Sequence, residues 1–236
     1  MSNTTITTTE LRFEASKSAG EVSAIFERPA IAKWLMVFGH GAGAGMRHHF
    51  MDGAVAALAA QGIATFRYQF PYMEKKTSRP DPQPLLLATV RSAVNAAHTI
   101  AGDLPVFAGG KSMGGRMTSL AASEERLPNV KGLVFFGFPL HPVGAPAAGR
   151  ADHLARVGTP MLFLQGTRDK LAELELLKPV LEKLGSQATL HIVEGGDHSF
   201  AVPKKSGRMM ADVLDELAQT VASWADKITS SRTKQD

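Results

Sequence analysis

Apolar and polar residues alternate at Leu11, Phe13 and Ala15 and again at Val22, Ala24 and Phe26, with a small polar stretch between the two runs. Period-two alternation sends successive side chains to opposite faces of a strand, so the pattern predicts an antiparallel hairpin turning at 18–20. Downstream the pattern changes. Short, largely apolar runs with little alternation, at 34–38, 63–68, 106–108, 133–136, 161–164 and 189–193, are separated by segments of helical period at about 50–61, 84–101, 114–124, 171–184 and 207–226. Strands without alternation are buried on both faces, and strands that alternate with helices build a parallel sheet through crossover connections. The fold class expected is therefore α/β: a mostly parallel twisted sheet with helices on both faces and an antiparallel N-terminal hairpin. Residues 11–226 form one expected domain, with a Ser/Thr-rich tail at 1–10 and a basic tail at 227–236.

In such sheets ligands bind at the carboxyl ends of the strands, which directs attention to the residues that follow each apolar run. These are HGAGAGM after Phe38, QFPYM after Tyr68, GGKSMGG after Ala108, GFPLHP after Phe136, QGTRD after Leu164 and EGGDHSF after Val193. Gly110 to Gly114 spell GxSxG between a strand and a helix, the setting in which a serine is presented on a sharp turn as a nucleophile. Ser112 is the candidate nucleophile; the competing role is an N-cap for the helix that follows. GKS also ends the phosphate-loop signature, but the leading glycine of that motif falls on Pro105, which lacks a backbone donor.

A serine hydroxyl needs an imidazole to take its proton and a carboxylate to orient that imidazole. Of eight histidines, His198 lies directly after the last predicted strand and is the candidate base. His191 falls inside that strand, His98 and His153 read as surface positions, and His141 precedes the acid candidate and so breaks the chain order Ser, acid, His. Asp169, closing QGTRD, is the candidate acid, with capping of the next helix as its competing role. Asp197 is too close in sequence to His198 for good geometry, and Glu173 and Asp152 are more remote.

Charge that develops on a substrate oxygen requires fixed donors, for which the backbone N–H groups of Met113 and Ala42 are the candidates, with Gly43 as the alternative to Ala42. Candidate substrate-binding positions are Gly41, Gly43, Met46, Phe70, Tyr72, Phe138, Leu140 and His141, an apolar set suited to a short acyl or aromatic group. The connection between the fourth and fifth apolar runs is too short for a large lid. Arg116 is placed to meet a substrate anion or to form an ordinary ion pair. His48, His49 and Asp52 cluster at the start of a helix; no further ligands stand at useful spacing, so no metal is expected and the cluster reads as surface or pocket rim.

Composition narrows the chemistry. The absence of cysteine removes disulfides, thiolate metal sites and a cysteine nucleophile. The net charge of +4 owes much to Lys204, Lys205, Arg208, Lys227, Arg232 and Lys234, and with only 7% aromatic residues there is no interleaved basic and stacking surface, so nucleic acid is not an expected partner. No secretory leader and no membrane-spanning run is evident, which makes the cytoplasm the expected location and no membrane the expected partner.

The ordered set FGHGAGAGM, RYQFPYME, Pro80–Asp81, AGGKSMGGRM, FGFPLHP, QGTRD and GGDHSF, spanning about residues 20–225, resembles the α/β-hydrolase branch of TEX-type and KANSL-type proteins, related to dienelactone-hydrolase-like enzymes. The resemblance implies a serine hydrolase fold with Ser112, Asp169 and His198 in the triad positions and no cofactor. Dienelactone hydrolases proper use a cysteine nucleophile, which this chain lacks. The activity expected is hydrolysis of small carboxylic esters or related acyl compounds through an acyl-enzyme, with a small-molecule partner and a homodimer as the assembly to test. Two other readings compete. The loop from Gly39 to Ala44 matches GxGxxA, with Arg67 in reach of a 2′-phosphate, as in an NADP-dependent reductase; yet the next strand does not end in a ribose-binding acid. Some relatives of this branch serve as interaction modules on a hydrolase fold.

Overall fold

A computed structural model describes residues 5–230. Eight strands form one sheet: β1 (Ile6–Ser16), β2 (Gly20–Pro29), β3 (Trp34–Gly39), β4 (Ile63–Tyr68), β5 (Val106–Lys111), β6 (Val130–Phe136), β7 (Met161–Gly166) and β8 (Ala188–Val193). Their order is β1-β2-β4-β3-β5-β6-β7-β8. The β1–β2 and β2–β4 pairs are antiparallel and every later pair is parallel. This is the expected α/β architecture with its N-terminal hairpin. Every residue of β3, β4, β5 and β7 is buried, which is why these segments are mostly apolar and show little alternation.

The helices are α1 (His49–Ala60), α2 (Pro71–Glu74), α3 (Gln83–Ala101), α4 (Met113–Glu124), α5 (Leu174–Leu184) and α6 (Met210–Ser230). Each face of the sheet has its own apolar core. Phe50, Met51 and Leu58 of α1 meet Val213, Leu217 and Trp224 of α6 over one face. On the other face Leu87 and Val94 of α3, Met117 of α4 and Leu177 of α5 pack on Leu35, Ala108 and Phe163. Strand β3 lies between β4 and β5, so the chain leaves it toward one edge and later returns on its other side. The crevice at such a reversal opens between the loops that follow β3 and β5, and those loops carry HGAGAGM and Ser112.

Several boundaries differ from expectation for local reasons. Strand β1 starts at Ile6 instead of Leu11, because Thr7 to Glu10 pair with Ile25 to Arg28 although their exposed side chains give no apolar signal. Strand β5 runs through Gly109 and Gly110, which pair with Phe38 and Gly39 of β3. Helix α5 starts at Leu174, after a turn in which Ala172 N–H donates to Asp169 O. Helix α6 continues to Ser230, so Lys227 is helical; Arg232 and Lys234 of the expected tail, like residues 1–4, lie outside the described residues. Helix α2 was not anticipated, since four residues are too few to show a period. No described helix is long and apolar enough to cross a membrane.

Candidate active site

Strand β5 delivers the chain into Ser112, which joins strand to helix α4 at φ 50° and ψ −114°. A non-glycine residue at positive φ is a costly conformation that surrounding structure must hold in place. Two glycines allow it: a Cβ at Gly110 or at Gly114 would lie 2.3 Å from Gly39 O, inside contact distance. The Ser112 N–H donates to Phe136 O at 3.1 Å, and its side chain makes no capping bond to α4. Its hydroxyl is therefore turned away from the helix.

The hydroxyl meets His198. Ser112 Oγ lies 2.8 Å from His198 Nε2, and His198 Nδ1 lies 2.7 Å from Asp169 Oδ2. An ionised carboxylate can only accept, so Nδ1–H donates to Asp169 and Nε2 is left to accept the serine proton. Asp169 is 2% exposed. A carboxylate so buried requires hydrogen bonds, and it has them: Leu171 N–H donates to Oδ1 at 2.8 Å and Gln165 Nε2 donates to Oδ2 at 2.5 Å. Asp169 thus closes its own turn with one oxygen and faces His198 with the other; it does not cap α5, whose N-cap is Glu173. The rival Asp197 accepts from Ser199 and Ala201 N–H within its own loop.

The loop after β3 is held from three sides. Tyr72 Oη accepts from Gly43 N–H at 2.9 Å, Gln69 Oε1 accepts from Met46 N–H at 2.8 Å, and His40 donates through Nδ1 to Gly41 O at 2.7 Å while Nε2 accepts from Phe70 N–H at 3.2 Å. Burial drives the His40 pKa down to about 4, which keeps the imidazole neutral and its Nε2 free to accept. Gly43 N–H is thereby engaged. Ala42 remains the candidate donor on this loop, and the Met113 N–H, in the first turn of α4, has no intrahelical acceptor.

The cavity beside Ser112 has a volume of about 310 Å³ and includes Gly41, Ala42, His48, His49, Phe50 and Leu171 in its wall. Of the expected binding positions only Gly41 belongs to it. Phe70, Tyr72, Phe138 and Leu140 are in the core: Phe138 packs on Phe135 and Phe163 at centroid distances of 5.4 and 5.7 Å, and Phe70 on Tyr68 at 5.2 Å. Being apolar and next to strand ends, they fold under the sheet instead of standing at its rim. His141 is fully buried and pairs with Glu173. Gly43 and Met46 line a separate cleft of about 690 Å³, where Arg47, Glu74 and Lys76 supply charge of both signs. The larger cleft contains neither Ser112 nor His198.

His48 and His49, expected at a rim, stand in the cavity wall. His48 Nδ1 accepts from Phe50 N–H and caps α1, and burial and then the neighbouring His49 hold its pKa below the usual range. Sequence reasoning did not single out Gln165, whose amide donates to Asp169, and took Lys111 only as a letter of the GKS motif, whereas its Nζ reaches the loop of His198. Arg67 is not available to a nucleotide phosphate. It is buried among Glu27, Asp52 and Met46 O. No group of three or more metal-ligating side chains occurs among the described residues.

Comparison with known proteins places the architecture. A family model described as an alpha/beta hydrolase domain matches residues 32–226. Among solved structures, dienelactone hydrolase from Anabaena variabilis is 22% identical, with 92% of this chain and 96% of that chain covered at a TM-score of 0.71. A lidless α/β serine hydrolase from Xanthomonas campestris is 19% identical, covering 92% and 94% at a TM-score of 0.71. A cold-adapted esterase from an Arctic intertidal metagenomic library is 21% identical, covering 91% and 94% at a TM-score of 0.63. At these identities the structural likeness speaks for the fold.

Proposed function

The chain belongs to the alpha/beta hydrolase domain family, and from that premise we propose that it is a serine hydrolase that cleaves small carboxylic esters through an acyl-enzyme. The observation that carries this reading is the continuous line Ser112 Oγ, His198 Nε2, His198 Nδ1, Asp169 Oδ2, with contacts of 2.8 and 2.7 Å. Each group has a definite task. As Ser112 Oγ bonds to the ester carbonyl carbon, His198 Nε2 takes the hydroxyl proton, and Asp169 stabilises the imidazolium and fixes its tautomer. The carbonyl electron pair moves onto oxygen, where the N–H groups of Met113 and Ala42 receive the charge. Collapse expels the alcohol oxygen, which takes the proton from Nε2. Water then repeats the sequence on the acyl-enzyme: His198 removes its proton, the carboxylic acid departs and Ser112 regains its hydrogen.

The substrate class follows from shape. The cavity of about 310 Å³ has Phe50, Met51 and Leu171 in its wall, which suits a short acyl or aryl group. Between Phe136 and Met161 the chain forms only two single-turn 3-10 segments, so no inserted lid covers the site. The similar esterase and lidless serine hydrolase structures support this reading. A panel of p-nitrophenyl esters from acetate to laurate tests it. Hydrolysis should favour the shortest acyl chains, and Ser112→Ala should reduce it to the background rate. A preference for the longest chains would reject the small-ester assignment, and undiminished turnover by folded Ser112→Ala would reject the serine mechanism.

A further inference from the structure

Lys111, the residue before the nucleophile, is a buried cation that the mechanism leaves without a task. Its Nζ donates to the backbone carbonyl of His198 at 2.6 Å and lies 5.6 Å from the ring centroids of both Phe50 and Phe200. Phe200 belongs to the His198 loop and holds φ at 64°, while stacking on Phe50 of α1 at 5.9 Å. Room for this arrangement is made by Gly137 at the end of β6, where a Cβ would come within 3.1 Å of Lys111 Nζ and 3.4 Å of His198 Nδ1. An ammonium removed from water is destabilising unless it is well partnered, and an apolar residue would fill the same space without that penalty.

We propose that Lys111 is a positioning residue that clamps the His198 loop to the nucleophile strand, so that the imidazole stays in register with Ser112. This rests on the reading of Ser112 and His198 as nucleophile and base. Both ends of the clamp are rigid: Lys111 closes β5 one residue before Ser112, and its acceptor is the main chain of the base itself. A charge-assisted bond is roughly twice as strong as a neutral one, so the grip weakens when the ammonium loses its proton. The charged and titratable groups facing Lys111 are Asp169 from the loop after β7, Asp197 and His198 from the loop after β8, and His48 before α1. Burial pushes the lysine down to about 8, against the pull of Asp169 and Asp197.

The consequence separates activity from stability. Between about 8 and the ordinary lysine value of 10.5, the unfolded chain binds the proton more tightly than the folded one. This group's contribution to stability therefore rises with pH across that window, whereas the clamp weakens. Activity lost there is not unfolding.

The test measures kcat and KM for p-nitrophenyl acetate against pH for wild type, Lys111→Met and Lys111→Arg, with circular dichroism at each pH. In parallel, the His198 imidazole is followed by 15N–1H NMR. Wild type should lose kcat above pH 8 with the fold intact. Lys111→Met should have kcat at least about tenfold lower at neutral pH, with KM moved little and no alkaline fall. Lys111→Arg, which stays charged, should carry its plateau at least about one pH unit further. The His198 resonances should show a step near pH 8 that is absent from Lys111→Met. Matching kcat and alkaline profiles in wild type and Lys111→Met would overturn the proposal, as would an NMR step that survives the substitution. Should the methionine variant not fold, an alkaline fall shared by wild type and Lys111→Arg would overturn it equally. If wild type hydrolyses no ester, the functional reading fails, and the NMR step alone then decides the role of Lys111.

Discussion

Asp169 Oδ1 closes a turn through Leu171 N–H while Oδ2 faces His198, so in the proposed reaction one side chain would serve both loop and base. Asp169→Asn keeps the shape but offers the imidazole a different partner, so kcat should drop about 10³- to 10⁴-fold with KM little changed; steady-state kinetics on a short ester checks this. Gln165→Leu removes the bond to Oδ2 and also the bond that Gln165 Oε1 accepts from Phe138 N–H; a hydrogen bond to a charged group is worth about 1.5–3 kcal/mol, so the fold should lose at least about that much stability, read as a lowered midpoint in urea. Wild-type stability for that variant would mean the amide only fills space. That Ser112, Asp169 and His198 come together was legible in the sequence, because each follows an apolar run and the order along the chain is constrained. Gln165 was not, since an amide at a strand end has no distinguishing neighbourhood until β7 is set beside the His198 loop. Lys111 was legible only as a motif letter, because its partner is a main-chain carbonyl far along the chain.

At the scale of elements, the close approach of β3 to α4 sets the geometry of the elbow. A Cβ at Gly114 would fall 2.3 Å from Gly39 O and 2.4 Å from Gly39 C, both backbone atoms. Gly114→Ala should therefore destabilise the fold by more than about 3 kcal/mol, beyond the usual penalty for overpacking, read as a lowered midpoint in urea. The loop after β3 depends on Tyr72 in a gentler way. Tyr72→Phe leaves Gly43 N–H without its acceptor, which should cost about 1 kcal/mol of stability and lower kcat severalfold by loosening the Ala42 donor; no change in kcat would show that the loop is held without it. The strands from β3 to β8 were readable because parallel strands covered on both faces are largely apolar with little alternation. The cavity wall was not readable. Aromatic residues after a strand satisfy burial equally well at a pocket or beneath the sheet, and Phe70, Tyr72, Phe138 and Leu140 chose the core.

Across the whole molecule, buried histidines tie stability to acid. Burial pushes both His40 and His153 down to about 4 from the ordinary value of 6.5. His153 Nε2 meets Ser119 Oγ at 2.7 Å in the same neutral manner as His40 meets its loop. As pH falls from 6.5 toward 4 the unfolded chain takes up these protons first, so stability present above 6.5 is lost across that window and this contribution levels off below it. Thermal unfolding should show Tm declining from pH 7 to 4.5, and a flat profile would contradict the burial of neutral imidazoles. The account as a whole stands on Ser112 being activated by His198. Intact-protein mass spectrometry after treatment with a fluorophosphonate reads this directly: wild type should gain one adduct, mapped to the peptide that holds Ser112, and Ser112→Ala should gain none. Folded wild type that stays unmodified, or equal labelling of both proteins, would contradict it.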